Sequence, residues 1–345
     1  MISTQLIIEK RFLENKIIEL CARYATKIAI VTDSHVANLY GHALGKKLKA
    51  EVLVAGQGEI HKTRREKELL EDLLFEKNYK KDTLLIGLGG GMITDLTGYL
   101  AATYMRGIYC ILIPTSLLGM VDAAIGGKNG VNTPFGKNMV GTIYPPNAIV
   151  IDTETLKTLP EKEMIAGLSE IIKYALIASP PLWKLLETKA AIHALIEPSI
   201  EIKQRIASQD PFEKGARTLL NFGHTFAHAL ETISGYQISH GEAVASGLLF
   251  ESYLSYLLGY LPKKSFDAIE SLIDSIPYSL SLPENSSFPL IFETMKRDKK
   301  NRGVLPRFVL LREIGEPLIL DEHYAIEVDE KPLKEAYDWF QHHGY

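Results

Sequence analysis

The sequence predicts an α/β fold in two parts: an amino-terminal Rossmann-like domain, a parallel sheet covered by helices, followed by a mainly α-helical domain. Three observations predict it. Short β-branched runs at 27–31, 52–54, 84–88, 109–113 and 149–151 are mostly separated by helix-like stretches such as 64–75, the alternation expected of a parallel sheet. After about Thr158 the texture changes, because 161–178, 182–196, 216–233 and 242–258 all suit helices and strand runs become scarce. Pro145, Pro146 and Pro160 mark turns, but no Gly/Ser linker separates the halves, so the boundary is drawn from texture: domains 1–157 and 158–345. No internal repeat or low-complexity tract is present.

A chain of 345 residues, 46% hydrophobic and 23% charged, has the composition of an ordinary soluble protein. The formal net charge of −4 gives no global reason to expect nucleic acid or an anionic membrane as partner, so any anion site must come from local lysines, arginines and backbone N–H groups. Only Cys21 and Cys110 are present; a thiolate zinc site or disulfide framework is excluded, and a metal would need His and carboxylate ligands. The first residues reach Glu9, Lys10 and Arg11 without a signal-like apolar stretch, and the apolar run 108–121 is broken by Pro114, Thr115 and Ser116. A soluble cytoplasmic protein is expected.

The run ending at Leu88 leads into Gly89, Gly90 and Gly91 and then a helix start at Met92 to Asp95. Glycines there let a phosphate approach backbone N–H groups at the positive end of a helix, as in nucleotide-binding domains. The usual dinucleotide spacing fails, so a plain tight turn is the competing reading. A second cluster, Gly126, Gly127, Lys128, Asn129 and Gly130, then Gly136, Lys137 and Asn138, places two lysines in glycine-rich turns suited to anionic oxygens, or else forms a solvated loop. It is not a P-loop.

In the helical part, His224 and His228 are spaced i, i+4 on one helical face, and His240 precedes Gly241 and Glu242. Upstream, Glu170 and Lys173 share a face at i, i+3. Three imidazoles and a carboxylate suit a catalytic zinc with an open coordination position. Spacing alone does not choose among the histidines; it favours the pair His224 and His228, as in other helical zinc motifs.

Taken in order, the segments Gly89-Gly90-Gly91 to Gly98, Arg106-Gly107, Pro114 to Leu118, Val121-Asp122, Gly126-Gly127-Lys128, Gly136-Lys137-Asn138, Glu170 to Lys173, Leu220 to Thr225, His240-Gly241-Glu242 and Asp298-Lys299-Lys300 resemble the 3-dehydroquinate synthase family over nearly the whole chain. The resemblance implies a sugar-phosphate cyclase of the shikimate route. It would convert 3-deoxy-D-arabino-heptulosonate 7-phosphate to 3-dehydroquinate and phosphate, with transient NAD-dependent oxidation and a bound Zn²⁺ or Co²⁺.

By position, Glu170, His224 and His240 would be the metal ligands, with His228 facing the substrate. Lys128, Asn138, Asn221, His228 and Lys299 would gather at the phosphate, and Lys137 and Lys173 would complete the polar pocket. Asp33, Glu59 and Lys62 would hold the adenosine ribose, Gly90, Gly91 and Asp95 would lie along the pyrophosphate with Thr115 and Ser116 nearby, and Asp122 would sit at the cofactor edge. Lys203 and Arg217 would hold a substrate carboxylate. Arg106 would reach the phosphate site of the neighbouring chain in a homodimer. Thr94, Ala227, Pro145 and Lys162 depart from the family pattern; Thr94 is expected to affect nucleotide affinity. The alternatives are a sister cyclase acting on a substrate without a carboxylate, a metal-dependent glycerol-type alcohol dehydrogenase, and a non-catalytic NAD-binding sensor.

Overall fold

The computed structural model describes residues 4–25, 27–284, 286–297 and 305–343, and the chain forms two compact units, Met1–Met164 and Ile165–Tyr345. The division between these units falls inside the helix Glu161–Ala178.

Within the first unit, β1 (Gln5–Ile8), β2 (Lys27–Asp33), β3 (Glu51–Ala55), β4 (Thr83–Gly89) and β5 (Tyr109–Pro114) precede a hairpin, β6 (Lys128–Thr133) and β7 (Gly136–Ile143), and then β8 (Ala148–Ile151). The main sheet runs β1-β8-β5-β4-β2-β3 with every pairing parallel. The central strand β4 is buried at all of its residues, which is why it reads as an unbroken apolar run rather than an alternation. Leu84, Ile86 and Leu88 of β4 join Ile111, Ile113, Ala148 and Val150 and the flanking Phe12, Ile17 and Leu20 in one core, each large aliphatic contributing about 1.5–3 kcal/mol by leaving water. From β2 the chain crosses to β3 on one side, and from β4 to β5 on the other. Strand order therefore reverses between the carboxyl ends of β2 and β4, where Asp33 and Gly89 lie, and a crevice opens at such a point.

Two elements were not foreseen. The edge strand β1 pairs only with β8, and the cluster read as glycine-rich turns is the β6/β7 hairpin. Gly130 lies opposite Gly141, where an added Cβ on Gly141 would come within 2.0 Å of Asn129 O. Strand propensity disfavours glycine, whereas this close pairing requires it.

The second unit consists mainly of helices, Glu161–Ala178, Pro180–Glu187, Ile192–Gln209, His224–Ile233, His240–Leu257, Lys263–Asp274, Phe288–Lys296 and Glu330–His342, with short two-stranded pieces between 307 and 327. Its core stacks Phe226 on Phe250 with centroids 4.0 Å apart, Phe340 edge-on at 5.4 Å from Phe226. Two predicted helices are each broken. The 182–196 stretch stops at Glu187, where Lys189 turns left-handed (φ 52), and restarts at Ile192. The 216–233 stretch is a 3₁₀ turn, Ala216–Asn221, then Gly223 with φ 79, then a helix whose first residue is His224. Among the described residues no helix is long and apolar enough to cross a membrane.

Candidate active site and metal centre

The helix Glu161–Ala178 carries Glu170 and Lys173 on one buried face. Oε1 of Glu170 lies 3.4 Å from Nε2 of His224 and 3.4 Å from Nε2 of His240, while Lys173 ion-pairs with Oε2. Both rings are held from behind. Nδ1 of His224 is 3.0 Å from Phe222 O, and Nδ1 of His240 is 3.4 Å from Oε1 of the buried Glu231. With Nδ1 engaged, Nε2 of each ring is turned to Glu170, as ligating histidines are oriented. His240 is itself stationed by a helix start, since Ser239 and Glu242 form a reciprocal capping box. One ligand atom from each of Glu170, His224 and His240 lies within 4.8 Å of the others. His228 is not among them; its ring stands edge-on to His224 at 5.6 Å. The cluster therefore joins His224 to His240 of the next helix rather than to His228 of the next turn, unlike the pair that spacing favours.

This set fits a metal. Neither oxygen of the fully buried Glu170 has a hydrogen bond of good geometry among the described residues, although three nitrogen groups surround it. Burial opposes its ionisation, but Lys173 and the two imidazoles hold its pKa well below the usual carboxylate range. Burial likewise disfavours a charged His240, yet Glu170 and Glu231 outweigh it and push the ring up to about 10. A site that holds its carboxylate ionised and pulls positive charge onto its ligands suits a cation, and two imidazoles with one carboxylate are the donor set of Zn²⁺ or Co²⁺ with a position left open.

Main-chain contacts fix where His224 begins. The buried Glu251 accepts from Gly223 N at 2.7 Å and Thr225 N at 3.2 Å, answering the positive end of the His224 helix. Gly247 passes Gly223 so closely that a Cβ on it would lie 1.7 Å from Gly223 O, and one on Gly241 would lie 2.3 Å from Ala166 Cα.

In the first unit the helix Gly91–Thr103 starts after Gly90 with no side-chain cap. A Cβ on Gly90 would meet nothing closer than Ser116 Oγ at 3.5 Å, so a backbone-hugging anion has space where a side chain would otherwise stand. Thr115 N donates to Gly89 O at 2.9 Å, and Ser116 Oγ accepts from Gly119 N at 3.1 Å; both therefore adjoin the turn. The buried Lys62 donates to Asp95 at 2.5 Å and to Asn138 Oδ1 at 2.7 Å, with Glu59 at 3.8 Å. Burial works against its ammonium, but Asp95 and Glu59 prevail and raise its pKa. Asn132 ties the group together, donating to Glu59 Oε1 at 2.8 Å and accepting from Asn138 N at 2.9 Å. Asp122, on the turn Gly119–Ala123, is near enough for its charge to act on Asp95.

The remaining predicted residues are distributed as follows. Asp33 caps the short helix after β2, Oδ1 accepting from His35 N and Val36 N at 2.9 and 3.0 Å. Lys128 opens β6 and pairs with Ile143, whereas Lys137 lies by the hairpin turn, so the two lysines are not neighbours. Lys203 and Arg217 are both buried on segments that touch, the helix Ile192–Gln209 and the turn Ala216–Asn221. Arg217 Nη1 donates to Pro211 O at 3.2 Å and Asn221 Nδ2 to Glu213 Oε1 at 2.8 Å. Arg106 is exposed just before β5, at the opposite end of the strands from the glycine turn. Lys299 lies outside the described residues.

The model for the 3-dehydroquinate synthase N-terminal region matches residues 52–166, and that for the C-terminal region matches 167–301. A 3-dehydroquinate synthase of Legionella pneumophila (strain Corby) is 41% identical over 313 residues, 86% of this chain and 85% of its own. The chain belongs to the 3-dehydroquinate synthase family. Among solved structures, a 2-epi-5-epi-valiolone synthase of Streptomyces hygroscopicus subsp. jinggangensis 5008 with NAD⁺ and Zn²⁺ bound has TM-score 0.89 at 25% identity, covering 99% of this chain and 98% of that one. A 2-deoxy-scyllo-inosose synthase complexed with carbaglucose-6-phosphate, NAD⁺ and Co²⁺ has TM-score 0.87 at 24% identity, covering 96% and 95%; that likeness is one of fold.

Departures from the family pattern find structural homes. Thr94 is buried and turns its hydroxyl back to Gly91 O at 3.0 Å, so it does not project from the glycine turn. Ala227 is buried within its helix and Lys162 is exposed. Reading the sequence missed Glu231, Glu251 and Asn132. Of these only Glu251 carried a signal, a lone carboxylate in the apolar stretch 243–250 and beyond.

Proposed function

We propose that the chain converts 3-deoxy-D-arabino-heptulosonate 7-phosphate to 3-dehydroquinate and phosphate, a carbon–oxygen lyase and cyclase reaction, with NAD⁺ and one Zn²⁺ or Co²⁺. The observation that carries this reading is the match to the family across 52–301, the stretch that supplies Glu170, His224 and His240. When bound, the metal polarises the reacting C–O groups and NAD⁺ takes and returns one hydride.

The residues of the chain do the rest. Glu170, His224 and His240 hold the metal, and Lys173 fixes the outer oxygen of Glu170. Gly90 and Gly91 offer backbone N–H groups to the pyrophosphate, with Asp95, Thr115 and Ser116 beside them; Asp33, Glu59 and Lys62 serve the ribose, and Asp122 the cofactor edge. By the family resemblance, Lys128, Asn138, Asn221, His228 and Lys299 would serve the substrate phosphate, where charge accumulates as it departs, and Lys137 would complete the polar lining. Lys203 and Arg217 read the substrate carboxylate. A carboxylate on the substrate gives these two buried cations a further anionic partner, which favours this reading over the sister cyclases. The chain acts as a homodimer in which Arg106 serves the neighbouring phosphate site; what supports this is its place about 20 Å, the length of β5, from the glycine turn of its own unit.

The test is incubation with the heptulosonate phosphate and NAD⁺ far below the substrate concentration, following phosphate, ring product and NADH. Phosphate and product should appear in equal amounts without accumulating NADH, a chelator should stop the reaction, and Zn²⁺ or Co²⁺ should restore it. NADH accumulating with turnover would replace this reading with a dehydrogenase.

A further inference from the structure

We propose that Lys81 is a positioning residue for Arg106: its ammonium clasps the carbonyls of the left-handed turn that presents this arginine. The inference rests on the reading of Arg106 as a phosphate ligand. The turn joins the helix Gly91–Thr103 to β5. Met105, Arg106 and Gly107 follow one another with φ 48, 61 and 104, a backbone that L side chains disfavour. Only the last is a glycine, and a Cβ there would approach Tyr144 Oη to 3.2 Å.

Three successive carbonyls converge as a result. Lys81 Nζ donates to Met105 O at 2.9 Å, to Arg106 O at 3.3 Å and to Gly107 O. An ammonium has three protons and no acceptor, so this cage uses all of them; without a cation, three aligned carbonyl dipoles would repel. Lys81 is itself stationed close to the start of β4, whose Leu84 pairs with Tyr109 of β5. On either side, Gly107 N donates to Tyr104 O and Ile108 N to Ala101 O, each at 2.9 Å, and Tyr144 Oη donates to Ile108 O at 2.9 Å. The turn is pinned throughout. Yet the guanidinium it carries is exposed and has no hydrogen-bond or ion-pair partner among the described residues. An unfavourable backbone braced by a dedicated lysine, with nothing in its own unit to grip, is a device for aiming a cation outward.

The experiment compares K81M, K81R, R106A and K81M/R106A in the holoenzyme. K81M should raise the KM for the heptulosonate phosphate and the inhibition constant of inorganic phosphate together by about tenfold, K81R should recover most of this, and K81M should add nothing once Arg106 is gone. Where R106A turns over too slowly, calorimetric titration with inorganic phosphate supplies the same four-way comparison. Equal losses in both backgrounds would mean a merely structural lysine and overturn the proposal. So would K81M within twofold of the parent while R106A is severely impaired, which leaves the role of Arg106 standing. R106A as active as the parent would remove the role of Arg106 and the clasp's purpose with it.

Discussion

His224 and His228 are separated by one helical turn, and only their surroundings assign them different work. His224 Nε2 turns to Glu170 because Phe222 O occupies its other nitrogen, whereas His228 is half-buried and stands edge-on to that ring. Replacing His228 with Ala should therefore leave close to one metal per chain while slowing turnover, by about 10²-fold or more if the ring transfers a proton. Replacing His240 with Ala should release the metal. Metal analysis of the two purified variants decides it: loss from the first and retention by the second would reverse the assignment. The histidines themselves were legible, because i, i+4 spacing is written in the chain. The choice between His228 and His240 was not, since it depends on Glu231 and Glu170 arriving from other segments, and spacing within one helix carries no such information.

At the scale of the element, the His224 helix owes its starting point to Gly223. Its φ of 79 is unfavourable to other residues, and a Cβ there would press to 2.8 Å on Leu248. Gly223→Ala should cost about 2–4 kcal/mol, backbone strain and overpacking together, and weaken metal binding by moving His224. Gly235 has a similar backbone, φ 60, but nothing within 4 Å of an added Cβ; Gly235→Ala should cost about 1 kcal/mol and leave metal binding unchanged. Urea denaturation with metal titration separates them, and equal costs would refute the role given to close contact. The same glycine explains why 216–233 read as one helix: its apolar pattern continues through a break that backbone conformation imposes. Five strands of the main sheet were legible from their β-branched runs. The β6/β7 hairpin was hidden, because glycines needed for close pairing look like turns.

At the scale of the molecule, the placing of Arg106 makes assembly testable. Arg106→Ala and His240→Ala homodimers should each be inactive. Unfolded, mixed in equal amounts and refolded, half the dimers are heterodimers, and one site in each of those carries neither defect, so roughly a quarter of parental activity should return by two-fold symmetry. No recovery despite demonstrated heterodimers would mean that Arg106 serves its own chain. The two-part architecture was legible because helical and strand periodicities differ; where one compact unit ends was not, since the helix Glu161–Ala178 runs through the division. The close passages of Gly241 against Ala166 and Gly247 against Gly223 bear on how such a protein diverges over time. The segments bearing Glu170, His224 and His240 are spaced by main chain rather than by side-chain size. A side chain added at Gly241 or Gly247 should therefore disturb the spacing of these three residues more than a change of size among the apolar side chains around them.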